Sequence, residues 1–90
     1  MVEFEWDEAK RMSNIVKHRL DFYRARDLFD GRNVFEKLTD WTAEERFTRT
    51  GILDGRFVTV VWTPRNDKVR MISARRARDE EKWNYRQLHG

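Results

Sequence analysis

Ninety residues, 39% of them apolar, suffice for one small domain, and 19 Lys and Arg against 16 Asp and Glu leave a formal charge of +3. The absence of Cys excludes disulfides, thiolate nucleophiles and Cys-ligated zinc. No stretch is apolar enough to span a bilayer, and the acidic start Met-Val-Glu-Phe-Glu-Trp is no secretory leader, so the expectation is a cytoplasmic protein with no membrane role.

Charges of both signs are numerous, so the basic excess points to polyanionic or acidic partners only where cations cluster. Residues 2–5 can form a short edge strand. Asp7 is a natural N-cap, and Ala9, Met12, Ile15 and Val16 follow at helical offsets, which predicts a helix over about 7–18 with one apolar stripe. Asp7, Lys10 and Asn14 run along the opposite face as a groove wall, although capping alone accounts for Asp7. Asp21 opens a second helix in which Phe22, Ala25, Leu28 and Phe29 share a side, and Gly31 closes it. Two short amphipathic helices in succession need a flat apolar partner.

That partner is a run of strands: Val34 to Thr39, Arg46 to Leu53, Arg56 to Thr63 and Val69 to Arg75. The softer segment from Asp30 to Glu44 is too short for a domain linker, and its Trp41 is either a partner-binding anchor or a lid over the sheet edge. Asp54-Gly55 is a two-residue type I′ turn signal, and Pro64 to Lys68 supplies a second turn after a strand that Pro64 ends. A last helix spans about Ala77 to Leu88, with Asp79, Glu80 and Glu81 at its positive end. His89, beside the terminal residue, is expected to be unordered. The expected fold is α+β, an antiparallel β-sheet meander with two N-terminal helices packed on one face and a C-terminal helix, in a single domain.

Register turns this outline into a site. With Asp54-Gly55 as the turn, Thr63 sits opposite Arg46 and Trp62 opposite Phe47; with Asn66-Asp67 centring the next turn, Arg70 faces Thr63 and Met71 faces Trp62. One face then carries Phe47, Val58, Val60, Trp62, Val69 and Met71 for the helices to cover. The other carries Arg46, Thr48, Thr50, Thr59, Thr63 and Arg70, a shallow polar groove fit for backbone phosphates.

The run Arg70-Met71-Ile72-Ser73-Ala74-Arg75-Arg76-Ala77 concentrates three guanidinium groups where a strand passes into a helix. Planar donors of fixed charge match phosphate oxygens, while the plainer alternative is a solvated rim paired with carboxylates.

Phe4-Glu5-Trp6-Asp7, Lys10, Asn14, Lys17-His18, Phe22, Ala25, Phe29, Glu45-Arg46-Phe47, Gly51, Arg70 to Ala77, Glu81 and Tyr85 together carry a family pattern. It reads F-E-W-D, K, N, K-H-G, F, A, F, then E-R-F and G, then R-I-I-S-A-R-R-A, E and Y. In this the chain resembles the BrnT toxins, small ribonucleases of bacterial type II toxin–antitoxin systems related in fold to RelE. Two positions depart from the pattern. Met71 for Ile is a mild core exchange. Arg19 replaces the Gly that ends the first helix, where a left-handed conformation costs Gly little and Arg more.

Cleaving RNA without a metal needs a base for the 2′-hydroxyl, cations for the phosphorane and an acid for the departing 5′-oxygen. His18, which follows Lys17, is the candidate for proton transfer because imidazole both accepts and donates a proton; the alternative is a helix-end His that complements the dipole. Arg46, Arg70, Arg75 and Arg76 are candidates for phosphate binding and transition-state stabilisation, Arg46 and Arg70 as catalytic groups and Arg75 and Arg76 as substrate contacts, with Lys10 and Lys17 also for substrate binding. Not all four Arg can share one phosphate, so some are structural or contact a partner. Glu81 and Tyr85 share one helix face, where Tyr85 either donates a proton or stacks on a base, and Glu81 orients an Arg; equally, the pair serves packing and a salt bridge. No metal-ligand motif and no Gly-rich nucleotide loop occurs, so neither metal nor cofactor is expected.

The resemblance implies a metal-independent endoribonuclease that inhibits translation and growth. It also implies a BrnA-like antitoxin with a ribbon-helix-helix part, through which alone operator DNA would be reached. The alternative is a non-catalytic RNA- or protein-binding module. A DNA-binding domain is a weaker third, for want of a recognition helix.

Overall fold

The computed structural model describes residues 2–40 and 44–90. Trp41 lies outside the described residues. The chain runs β1 (Phe4–Glu5), α1 (Glu8–His18), α2 (Phe22–Ala25), a 3-10 turn (Arg26–Phe29), β2 (Val34–Asp40), β3 (Arg46–Leu53), β4 (Arg56–Arg65), β5 (Lys68–Arg76) and α3 (Asp79–His89). The fold is α+β, as the sequence predicts. Its sheet has the order β1-β5-β4-β3-β2, with β1 parallel to β5 and the remaining neighbours antiparallel. The sheet is therefore mixed, because the two-residue β1 enters from the far side instead of through a hairpin.

Both hairpins form where turn chemistry places them. Asp54 and Gly55 have φ of 53° and 77°, and Asn66 and Asp67 have 52° and 63°, the positive values that type I′ turns need. Phe47 pairs with Trp62, Trp62 with Met71 and Thr63 with Arg70, in the expected register. Pro64 does not end its strand; β4 continues to Arg65. Val69, its partner across the hairpin, turns its N–H to Glu3 O in the opposite direction, so Pro64's missing donor falls on the side of β3, where the paired ladder has stopped at Trp62.

One correction in β5 shapes everything downstream. The β4–β5 register shifts between Val61 and Trp62, so Ile72 is a bulged extra residue: Met71 pairs with Trp62 but Ser73 pairs with Val61. Ala74 then turns to the helical side and is fully buried, while Arg75 shares the opposite face with Thr59 and Thr63.

On the first face Phe22, Ala25 and Leu28 bury themselves against Leu53, Val58, Val60, Val69, Met71 and Ala74. The second helix breaks after Ala25 into the 3-10 turn, which still delivers Leu28 inward. Gly51 permits this approach, since a Cβ there would lie 2.8 Å from Leu28 Cδ2 and 3.2 Å from Val34 Cγ1.

Helix α1 uses little of its apolar stripe, of which Ile15 alone is half-buried. Asp7 caps it through bonds from the Ala9 and Lys10 N–H groups, as expected, but Met12 is 53% and Val16 80% exposed, and Asn14 is the buried residue. The helix lies along β5 beyond the end of β1, where unpaired strand groups must be satisfied. The Asn14 carboxamide accepts from Ala74 N (3.1 Å) and donates to Ala74 O (2.8 Å) and Leu20 O (2.8 Å), imitating a neighbouring strand. Arg11 holds α1 to the next helix through Asp21 (2.9 Å) and also bonds Glu8. The helix ends on Arg19 at φ 56°, ψ 33°, with the Arg19 N–H bonded to Ile15 O, so a left-handed position is filled by Arg.

On the second face α3 crosses β2 and β3. His89 is ordered, its ring nitrogen 2.8 Å from Val34 O, because it completes the last turn of α3 over the sheet.

Candidate nucleic-acid interface

The end of α1 and the end of β5 meet. Helix α1 is tied to Ala74 by Asn14, four residues before His18, and the bulge at Ile72 decides that Arg75 shares the face of Thr59 while Arg76 takes the opposite one. The result is a hollow of about 400 Å³ lined by Lys17, His18, Arg19, Arg75, Arg76 and Arg78. Among the described residues no carboxylate lines it, although the chain has 16 acidic residues. Lys10, Ser13 and Lys17 continue the wall along α1 over Ile72 and Ser73. Glu81, just behind the lining, offsets the charge of Arg75, but Lys17, Arg19, Arg76 and Arg78 still gather like charge at the surface of the hollow, which raises the local positive potential and favours an anion.

Arg75, one of the lining residues, is held from behind. Its guanidinium makes two bonds to Glu81, 2.8 Å to Oε1 and 2.9 Å to Oε2, and both side chains are about one-sixth exposed (15% and 16%). Glu81 Oε1 also accepts from Thr59 Oγ1 (2.9 Å) and from the Arg78 N–H (2.8 Å), which satisfies the first turn of α3. Burial alone would raise the Glu81 carboxyl, but bonds from Arg75, the Arg78 N–H and Thr59 outweigh it and hold the group at about 2. It is an anion at any ordinary pH, and its role is to aim Arg75.

The remaining expected residues fall elsewhere. Arg70 and Thr63 are opposite one another as the register requires, but Thr63 is buried and donates to Glu45 O, so it offers nothing to a phosphate. Arg70 pairs with Glu5 at 3.4 Å and Arg46 with Glu44 at 3.5 Å, both on the part of the sheet face that lies beyond Val61 from Arg75. Thr48, Thr50 and Thr59 are also buried, Thr50 and Thr59 bonded to each other at 2.8 Å, so the threonine row makes no open phosphate groove between Arg46 and Arg70; Thr48 and Thr50 line only a hollow covered by α3. Tyr85 packs edge-to-face on Phe57 (5.3 Å) and against His89 (4.8 Å), at the Ile52 end of the sheet. His18, Lys17, Arg75 and Arg76 therefore share one site, Lys10 adjoins it, Glu81 supports it, and Tyr85, Arg46 and Arg70 lie apart.

Arg19 and Arg78 escaped the sequence reading as members of the hollow. Arg78 carried a signal, since it stands three residues before Glu81 in a capping position. Arg19 shows its place only once the left-handed turn is known.

A family model described as "Ribonuclease toxin, BrnT, of type II toxin-antitoxin system" matches residues 6–81, which includes every residue of the hollow. No curated protein matches the chain.

Proposed function

Since the chain belongs to the BrnT family of ribonuclease toxins of type II toxin–antitoxin systems, with an antitoxin as partner, we propose that it cleaves RNA at the cationic hollow, without a metal. One observation carries this reading: the hollow's lining is entirely Lys, Arg and His, and His18 supplies its one imidazole, the side chain suited to general base catalysis.

A scissile phosphate sits against Lys17 and Arg76, with Arg75 beneath it. The neutral His18 imidazole takes the proton of the 2′-hydroxyl, whose oxygen attacks phosphorus. The bond to the 5′-oxygen breaks, leaving a 2′,3′-cyclic phosphate and a 5′-hydroxyl that takes its proton from solvent at the open rim. Charge gathering on the phosphorane is met by fixed guanidinium and ammonium groups, which need no reorganisation. Lys10, Arg46 and Arg70 contact neighbouring phosphates along the strand, while Tyr85 supports α3 and takes no part in the chemistry.

The antitoxin silences the enzyme with an acidic segment laid in the same hollow. Its ribbon-helix-helix part alone touches operator DNA, and release of the toxin arrests growth through loss of translatable RNA. Purified protein with cellular RNA in a chelator tests the reaction: fragments ending in cyclic phosphate are expected, and His18→Ala should lower the rate about 10²–10⁴-fold. Tyr85→Phe should stay within about threefold of the wild type, as for a group outside the reacting set. A shift in RNA mobility without fragments would favour a binding module, and full cleavage by folded His18→Ala would remove that residue from the reaction.

A further inference from the structure

A second hollow, of about 300 Å³, lies under the first half of α3, within the size range of small-ligand sites. It shares Arg75 and Arg78 with the cationic hollow, so the two adjoin across one ridge. Their linings differ in kind. The second has an aromatic ring, Phe35, an apolar and hydroxyl floor of Val61 and Thr48, and carboxylate and carboxamide groups on its rim. Such a mixture suits a neutral, flat, hydrogen-bonding group attached to a phosphate.

Two rim residues are available to read such a group. Glu80 and Asn84 are one turn apart on α3 and project together. Glu81 is saturated by Arg75, Thr59 and the Arg78 N–H, whereas Glu80 has only an exposed contact of 3.8 Å with Lys37. The Asn84 carboxamide has no hydrogen-bond partner among the described residues.

We propose that this hollow binds the nucleobase next to the phosphate held in the cationic hollow, and that Glu80 with Asn84 selects guanine. The inference rests on the cationic hollow being an RNA phosphate site. Guanine is the base that offers two adjacent donors, N1–H and N2–H, to one carboxylate, with O6 beside them for the Asn84 amide. Adenine and cytosine set an acceptor next to their donor, and uracil sets its single donor between two carbonyls; each turns a lone pair toward Glu80. The base stacks on Phe35 while Arg78, on the ridge, faces both the base and the phosphate.

Titration of ¹⁵N-labelled protein with GMP, AMP, CMP and UMP, followed by amide shifts, tests this without any cleavage. Shifts at Thr48, Val61 and Asn84 are expected with GMP, with binding about fivefold or more tighter than for the other three, the lower end of what one bidentate base contact discriminates. Glu80→Gln, at an exposed position safe for folding, should erase that preference while phosphate-driven shifts at Lys17 and Arg76 persist. Shifts confined to Lys17, His18 and Arg76, equal for all four nucleotides, would overturn the base hollow and leave the phosphate site standing. Shifts at Thr48 and Asn84 with guanosine, but none at Lys17 or Arg76 with GMP, would sink the phosphate reading and keep the base hollow. A guanine preference surviving in Glu80→Gln would overturn the assignment of Glu80.

Discussion

Replacing Glu81 by Gln should cost about 2–4 kcal/mol, near the lower end of what breaking a buried ion pair costs, because the pair is partly open to solvent. The carboxylate accepts four hydrogen bonds, from Arg75 Nη1 and Nη2, Thr59 Oγ1 and the Arg78 N–H. The amide can keep Thr59 and Arg78 on its oxygen, but its NH₂ then confronts an Arg75 nitrogen, donor against donor, and the compensating charge is gone. For 90 residues a total stability of roughly 5–13 kcal/mol is ordinary, so the variant should fold with a large loss of margin. Urea denaturation should show the midpoint falling with unchanged slope. Acidity gives a second readout with a definite sign. The Glu81 carboxyl is held at about 2 in the folded chain against an ordinary 4.5, so its contribution is complete above about pH 4.5 and drains away as pH falls toward 2. After discounting for solvent it amounts to about 2–3 kcal/mol. The gap between wild type and Glu81→Gln should therefore narrow by that amount from pH 5 to 2. A loss under about 0.5 kcal/mol at pH 7, as expected for an exposed pair, or a gap that does not change with acid, would refute the role given to Glu81.

Gly51→Ala should destabilise by about 1–3 kcal/mol through overpacking against Leu28 and Val34, read as a lower thermal midpoint; an unchanged midpoint would mean the 3-10 turn moves away freely. Asn14→Ala leaves the N–H and C=O of Ala74 unpaired inside the protein and should cost about 2–4 kcal/mol, with faster amide exchange at Ala74 as the local signature. Arg19→Gly relieves a left-handed backbone conformation and should gain up to about 1 kcal/mol by urea titration, since relief of strain exceeds the added chain entropy; a loss would show that the Arg19 side chain contributes contacts worth more than the strain.

Much of this molecule is written locally. Asp7 and Asp21 cap helices from sequence alone because a short acceptor side chain needs only its own following N–H groups. Asp54-Gly55 and Asn66-Asp67 fix two hairpins, and with them the pairing of Phe47, Trp62, Met71, Thr63 and Arg70, because turn length sets register. The Gly-to-Arg departure at position 19 likewise points to a left-handed residue, since local backbone sterics decide it. What the sequence did not disclose depends on neighbours distant in the chain. The apolar stripe of α1 promised burial of Met12 and Val16, yet the free backbone at Ala74 demanded a polar partner and brought Asn14 inside. Strict alternation from Arg70 would have put Arg75 on the helical side. One bulged residue, Ile72, reverses the alternation, seats Ala74 in the core and joins Arg75 to Glu81, because the cost of a local break in pairing is offset by burial and a bidentate ion pair. The residue types of the cationic hollow were legible in the chain; their convergence at the end of α1 came from that bulge and from Asn14, both products of tertiary contact.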